Sequence, residues 1–184
     1  MRKPFSVCGQ DSLSIHIDTL KFVKKSYQRG EGLNGKIVRY RTYYTSEESY
    51  QPKIGYNKII RDNGILYFEG EYIQVDTLYK RVGLFKFYKT SGQLDYTQDF
   101  NTNQRVNYFS NGVKKSEGLV NDSGKGIGIW TCYYPTGQTK SIGKIEDTLK
   151  IGRWEYFDEQ GKLTNKRKYK HWTGASGNQD CCDW

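Results

Sequence analysis

Alanine is almost absent from this chain, since only Ala175 among its 184 residues is alanine. Because alanine is the strongest helix former, its scarcity argues against a helical protein. No run of about 18 apolar residues is present, so the sequence predicts no membrane-spanning helix. The apolar fraction is 35%, and tyrosine occurs 16 times, so tyrosine rings must supply much of the apolar contact. This composition favours a thin, extended β structure over a thick globular core.

The residues that catalytic and metal sites need are also scarce. Histidine occurs only as His16 and His171, and no nucleophile elbow or spaced carboxylate pair is visible. Residues 124–128, GKGIG, lack the Lys-Ser/Thr ending of a phosphate-binding loop. We therefore expect no catalytic, cofactor-binding or metal-binding residues, and we expect that the protein is not an enzyme.

The four cysteines do not form a metal-binding pattern. Cys181 and Cys182 are adjacent, whereas zinc ligands usually have two or more residues between them. Cys132 takes a position that aromatic residues hold in related segments, so we expect a packing thiol there. Cys8 is a candidate for a disulfide with Cys181 or Cys182 in an oxidising compartment, and free thiols are the alternative.

The first residues, MRKPFSVCGQD, lack the apolar core of a signal peptide. Residues 5–9, FSVCG, are similar to the end of a bacterial lipoprotein signal, which would make Cys8 a lipidation site if the start were truncated. We expect a cytoplasmic location if the N terminus is complete. A periplasmic or lipid-anchored location is expected if a signal has been removed.

A ten-residue pattern, G-x-[WF]-x-x-[YF]-x-x-x-G, recurs along the chain. Three copies keep all four anchors: Gly83, Phe85, Tyr88 and Gly92; Gly128, Trp130, Tyr133 and Gly137; Gly152, Trp154, Phe157 and Gly161. Two weaker copies are Asn103, Arg105, Tyr108 and Gly112, and Gly55, Asn57, Ile60 and Gly64. A fixed period of this kind is the sequence signature of a repeat architecture.

The segment after each second glycine repeats as well. Counting from Gly35, Gly64, Gly92, Gly112, Gly137 and Gly161, the eighth residue is always aromatic or β-branched: Tyr43, Tyr72, Phe100, Val120, Ile145 and Tyr169. The sixth residue is glycine in three of the six: Arg41, Gly70, Gln98, Gly118, Gly143 and Arg167.

Each unit reads as a β-hairpin. Strand-favouring residues flank turns such as SNGVK, RDNGI and YPTGQ, in which glycine supplies a positive φ. A lone hairpin is marginally stable in water, so neighbouring units must stack edge to edge. The sequence therefore predicts an all-β, single-layer array of about five or six stacked antiparallel hairpins, with the aromatic anchors as its packing layer.

The quoted pattern resembles the bacterial variant of the MORN repeat, found in YwqK-type antitoxin components. Its closest equivalents are GIWTCYYPTGQTKSIGKI and GRWEYFDEQGKLTNKRKY, and the resemblance covers about residues 54–170, or 33–170 with the first half-copy. The copy at 103–112 departs by losing its first glycine and its tryptophan. The resemblance implies a hairpin solenoid and a non-catalytic immunity role in which the chain binds a cognate toxin.

The repeats divide the chain into three parts. Residues 1–32 are expected to form an N-terminal cap, because Leu13, Ile15 and Ile17 alternate with polar residues as in a strand. Such a strand would cover the edge of the first unit. Residues 33–170 hold the hairpin repeats, and residues 171–184 are expected to be a loop or tail.

The formal net charge is +9, which suits an acidic protein, an anionic membrane or nucleic acid as partner. Strand alternation would place Lys114 with Ser116 and Gly118 on one face, and Lys166 with Lys168 on one face. We take these three lysines as candidate partner-binding residues, with a protein such as an acidic toxin as the expected partner. Peripheral binding to an anionic membrane and a structural assembly role with dimerisation through the end hairpins are the alternatives. Nucleic acid ranks lower, since no RNA-binding signature is visible.

Overall fold

The computed structural model describes residues 14–28, 40–46 and 50–170. Expectations about Cys8, Gly35, His171, the Cys181–Cys182 pair and the tail at 171–184 lie outside these ranges, whereas Arg41 and Tyr43 of the half-copy at Gly35 lie inside them. Every element within the ranges is a β-strand. No helix long and apolar enough to cross a bilayer occurs in them.

Eleven of the described strands form one sheet in the order β1-β4-β5-β6-β7-β8-β9-β10-β11-β12-β13, and β2 and β3 form a separate antiparallel pair. The predicted all-β array of stacked hairpins is confirmed. The strands are β1 (Ile15–Leu20), β2 (Phe22–Gln28), β3 (Tyr40–Ser46), β4 (Gly55–Arg61), β5 (Leu66–Val75), β6 (Leu78–Tyr88), β7 (Leu94–Asp99), β8 (Gln104–Tyr108), β9 (Lys114–Val120), β10 (Gly126–Tyr133), β11 (Thr139–Glu146), β12 (Leu149–Phe157) and β13 (Leu163–Tyr169).

The first strand caps the sheet, as the alternation around Ile15 predicts. β1 pairs with β4, and Ile17 lies beside Lys58 in the register. This pairing is parallel, whereas every other pairing in the sheet is antiparallel. The cap therefore reaches its place through a long connection instead of a tight turn.

The tight turns close in the same way in each repeat. At Gly137 the glycine N–H donates to the Tyr134 carbonyl at 2.8 Å, and the Tyr134 N–H donates to the Gln138 carbonyl at 2.8 Å. Gly137 has φ +92°, in the left-handed region that glycine adopts without steric cost. The register shifts between Cys132 and Tyr133, which marks a β-bulge just before the turn.

The core of the sheet is built from rings that lie on glycines of the neighbouring strand. Trp154 is fully buried, and a Cβ added to Gly143 would lie 2.2 Å from its indole ring. The Trp154 indole N–H donates to the Lys144 carbonyl at 3.0 Å. The same contact recurs between Trp130 and Gly118 and between Phe85 and Gly70. Glycine at the sixth position after a turn thus leaves the space that the next unit's ring fills.

The irregular copy keeps its strand but replaces the ring and the glycine together. Arg105 takes the tryptophan position, and Gln98 takes the glycine position directly opposite. The Arg105 guanidinium donates to Gln98 Oε1 at 2.6 and 3.2 Å, and it lies 4.8 Å from the centroid of the Tyr96 ring. This polar pair takes the place of the ring and the glycine in the β7–β8 ladder, which has no register shift.

We expect Gly143→Ala to destabilise the fold by about 1–3 kcal/mol, because the new methyl group overlaps the Trp154 ring. Trp154→Ala alone should cost about 3–5 kcal/mol through the lost buried ring. In the Trp154→Ala background the cost of Gly143→Ala should largely vanish. Urea unfolding of the four proteins gives this cycle, with Lys144→Ala on the exposed face as control. Additive costs would contradict the ring-on-glycine contact.

Candidate functional site

The pairing register divides the side chains of the sheet between two faces. The ring face carries Phe85, Trp130 and Trp154, each of which lies opposite a residue of the same face on the next strand. The other face, here called the back face, carries the alternate residues. The two faces differ in chemistry, since the ring face holds both buried clusters of apolar side chains.

The back face carries most of the exposed large apolar side chains. In two complete repeats the residue directly after the first glycine is one of them, with Leu84 53% exposed and Ile129 59% exposed. The N-terminal cap adds two more through the residues paired with β4. The set on this face is Ile15, Ile17, Ile73, Val75, Leu78, Leu84, Leu119, Ile129 and Leu149. They extend from the first strand of the sheet to β12.

A buried carboxylate, Glu69, lies on the back face on β5 and contacts neighbouring tyrosine and lysine side chains. The Tyr88 hydroxyl donates to Glu69 Oε1 at 2.7 Å, and the ammonium groups of Lys86 and Lys58 lie 3.4 and 3.6 Å from the two Glu69 oxygens. Burial raises the pKa of Glu69, but the Tyr88 hydrogen bond and the two lysines outweigh it, so the pKa lies below its ordinary value. Glu69 is therefore held ionised by the Tyr88 hydroxyl and two cations, and Tyr56 is a second tyrosine hydrogen-bonded to it.

The same arrangement recurs at the β9–β10 pair. The Tyr133 hydroxyl donates to Glu117 Oε1, and Lys114 Nζ lies 2.9 Å from Glu117 Oε2. Burial and the hydrogen bond to Glu117 raise the pKa of Tyr133 to about 12. The last repeat has no carboxylate here, because Ile142 takes the place of the glutamate and Phe157 that of the tyrosine. The two tyrosine–glutamate pairs thus have no counterpart at Ile142 and Phe157.

The three predicted partner-binding lysines all lie on the back face but in different surroundings. Strict alternation is wrong at Lys114, because a β-bulge opposite Tyr108 sets it on the face of Glu117 and not that of Ser116. Lys166 and Lys168 do share one face. Lys166 Nζ lies 2.7 Å from Glu155 Oε1, whereas Lys168 lies opposite Arg153.

Cations on the ring face cover the aromatic rings. Lys150 Nζ lies 4.5 Å from the Trp154 ring centroid and within 6 Å of the rings of Tyr156 and Tyr169. Arg81 covers the three corresponding rings of its own repeat: Phe85, Phe87 and Phe100. Each of these cations stands two residues before the first glycine of the pattern. Lys150 and Arg81 therefore each make cation–π contacts with three rings of the ring face.

The predicted repeat anchors take two kinds of position. The aromatic third residue of the pattern is buried on the ring face, as at Phe85, and the sixth residue lies on the back face, as at Tyr88 and Tyr133. The pattern glycines lie at positive φ: Gly83, Gly92, Gly112, Gly128, Gly137, Gly152 and Gly161. Tyr108 lies opposite Lys114, and Phe157 lies opposite Leu163.

The sequence analysis missed Glu69 and Glu117. A signal for both was present, because each is the fifth residue after a turn glycine and the next unit then carries tyrosine at its own sixth position. Cys132 is buried among the apolar residues of the ring face. Among the residues with described positions, no three His, Cys, Asp or Glu side chains come together as a metal ion would need.

We expect the stability of the fold to fall in acid partly through Glu69. Its folded-state pKa lies below the ordinary value of 4.5, so its contribution is complete above about 4.5 and is lost as the pH falls through the folded value. Glu69→Gln should therefore lower stability at pH 7 and flatten the loss of stability in acid. Urea unfolding from pH 7 to pH 3 measures both effects. Glu159→Gln in an exposed turn is the control, and an unchanged pH slope for Glu69→Gln would contradict the role of the carboxylate.

The comparisons with known proteins concern the last two hairpins. A family model described as the MORN repeat variant matches residues 127–147 and again residues 150–171. These segments coincide with the β10–β11 and β12–β13 hairpins, and repeats of this type are generally protein- or membrane-interaction modules. No curated protein and no solved structure matches the chain. The C-terminal two hairpins of the sheet are therefore similar to MORN repeat variants.

Proposed function

We propose that this protein is a non-catalytic binding module that holds a protein partner on its back face. The observation that carries the proposal is the distribution of exposed apolar side chains, which gather on this face while the aromatic rings are buried on the other. Exposed apolar side chains gathered on one side of a protein mark interaction surfaces. Leu84, Leu119 and Ile129 lie in its centre, on strands β6, β9 and β10.

The charges of the back face favour a protein over an anionic bilayer as its partner. Carboxylates at Glu69, Glu117 and Glu155 lie between the lysines and pair with them. Such carboxylates would be repelled by acidic lipid, whereas a protein surface of mixed charge can complement both signs. The chain's excess of positive charge would then speed encounter with an acidic partner.

Toxin neutralisation is the specific form of this function that we propose. It rests on the resemblance of the repeat to YwqK-type antitoxin components, together with a surface suited to covering another protein. An immunity protein acts by occupying its partner, so it needs a large complementary surface and no catalytic group. On the back face, Tyr88 and Tyr133 are hydrogen-bonded to Glu69 and Glu117, so they offer held aromatic groups of the type that dominates binding energy at interfaces.

We expect the double variant Leu119→Ser/Ile129→Ser to lose the partner while it keeps the fold. Both side chains are exposed, so their removal should change stability by only about 0.5 kcal/mol each. The tagged wild-type chain, this variant and an Ile54→Ser control would each be used to capture binding partners from the source cells. Ile54 is equally exposed but lies just before β4 and outside the set. A protein held by the wild type and the control but not by the double variant is the expected result.

The captured protein then tests toxin neutralisation directly. Expressed alone in a host cell, it should arrest growth, and the wild-type chain but not the double variant should restore growth. Retention of every captured protein by the double variant would contradict binding through the back face. A captured partner that leaves growth unaffected would contradict the immunity role and leave the binding role standing.

A further inference from the structure

The last strand of the sheet is an exposed edge with an unusual charge pattern. β13 has the sequence LTNKRKY and pairs with β12, and among the described strands no other pairs with it. Its residues are exposed except for the half-buried Tyr169. An edge strand presents unpaired backbone N–H and C=O groups, which can pair with a further strand.

Two like charges lie directly opposite each other at this edge. Arg153 and Lys168 are cross-strand partners on the back face, and both side chains are exposed. Like charges in this position are destabilising. Three other lysines on this face have carboxylate partners: Lys58 and Lys86 pair with Glu69, and Lys166 pairs with Glu155. In the described ranges neither Arg153 nor Lys168 forms an ion pair with a carboxylate, so this part of the face has an excess of positive charge.

The interior of the sheet shows what a further strand would meet on the ring face. Arg167 stands six residues after the turn glycine Gly161, in the position that Gln98 takes after Gly92. The strand that follows Gln98 provides Arg105 directly opposite, and the two side chains are hydrogen-bonded. At β13 the arginine is on the existing strand and already makes an interaction within the protein, so the ring face does not determine which residue an added strand would carry there.

We propose that the β13 edge binds an extended acidic segment of a partner protein by strand addition, with a carboxylate beside Lys168. The backbone of the segment would complete the ladder, and its acidic side chains would relieve the repulsion between Lys168 and Arg153. A second copy of this chain fits poorly, because antiparallel pairing of two β13 strands would bring their clustered cations together. This edge is separate from the apolar set of the back face, so the inference goes beyond the proposed function.

The test uses the full chain and the acetylated, amidated peptide TEVEVEVT, labelled for fluorescence anisotropy. Two further peptides carry N-methyl groups, one on the glutamate amides and the other on the valine amides. Only alternate amides of an added strand face the sheet. One methylated peptide should therefore bind more than about tenfold more weakly, and the other should bind within about twofold of the parent.

Variants of the protein locate the site. Lys168→Glu should weaken binding of the parent peptide by about fivefold or more, because it replaces an attraction with a repulsion. Lys80→Glu changes the net charge equally on an exposed residue of β6, and it should leave the affinity within about twofold. The Leu119→Ser/Ile129→Ser variant should bind the peptide as the wild type does, so failure of this inference is distinguishable from failure of the proposed function.

Four results would overturn the proposal. Equal affinity of the two methylated peptides would show attraction by charge without strand pairing. Equal weakening by Lys168→Glu and Lys80→Glu would place the peptide elsewhere. Full competition by a thymidine oligonucleotide of the same charge, at the same concentration, would identify a general polyanion site. A free protein that elutes as a dimer, and that the peptide converts to a monomer, would assign the edge to a second copy.

Discussion

The contact on which the sheet depends is the face of an aromatic ring resting on a glycine of the adjacent strand. Within the eleven-stranded sheet, each of these large rings is covered by the neighbouring strand of the same layer. The absence of a Cβ at Gly118 and Gly143 lets the indoles of Trp130 and Trp154 lie against the neighbouring backbone, where their N–H groups reach carbonyl oxygens. Burial and hydrogen bonding are thus achieved together, and two tryptophans become inaccessible to solvent in a structure only one strand layer thick.

The difference in side chains between the two faces follows from this contact. Because the large rings are buried on the ring face, the back face carries the exposed apolar side chains together with the ion pairs. Glu69 and Glu117 hold the hydroxyl ends of Tyr88 and Tyr133, so these rings have fixed orientations before any partner arrives. Pre-ordered side chains lose less conformational entropy on binding, which suits a module whose role is recognition.

The architecture could be predicted from the sequence because each hairpin is defined by residues that lie close together in the chain. Each turn glycine, each ring and each glycine at the sixth position recurs at fixed offsets, and these offsets define a hairpin without knowledge of distant contacts. The role of the back-face carboxylates could not be predicted from one strand alone. The partner of Glu69 is Tyr88, its diagonal neighbour on the next strand, and this contact requires the pairing register. The bulge that turns Lys114 towards Glu117 was beyond a simple alternation rule, because one inserted residue reverses which face a side chain takes. The parallel partner of β1 likewise depends on a long-range pairing that no local pattern encodes.

That parallel pairing has a consequence for how the protein folds. From β4 to β13 each strand pairs with the next strand in sequence, so the array can grow hairpin by hairpin with little loop-closure entropy. β1 reaches β4 only across the intervening β2 and β3 segments, which makes it the one pairing in the sheet of high sequence separation. We expect this strand to dock late and to detach first, so the amide protons of β4 that face β1 should exchange with solvent long before those of β11 and β12.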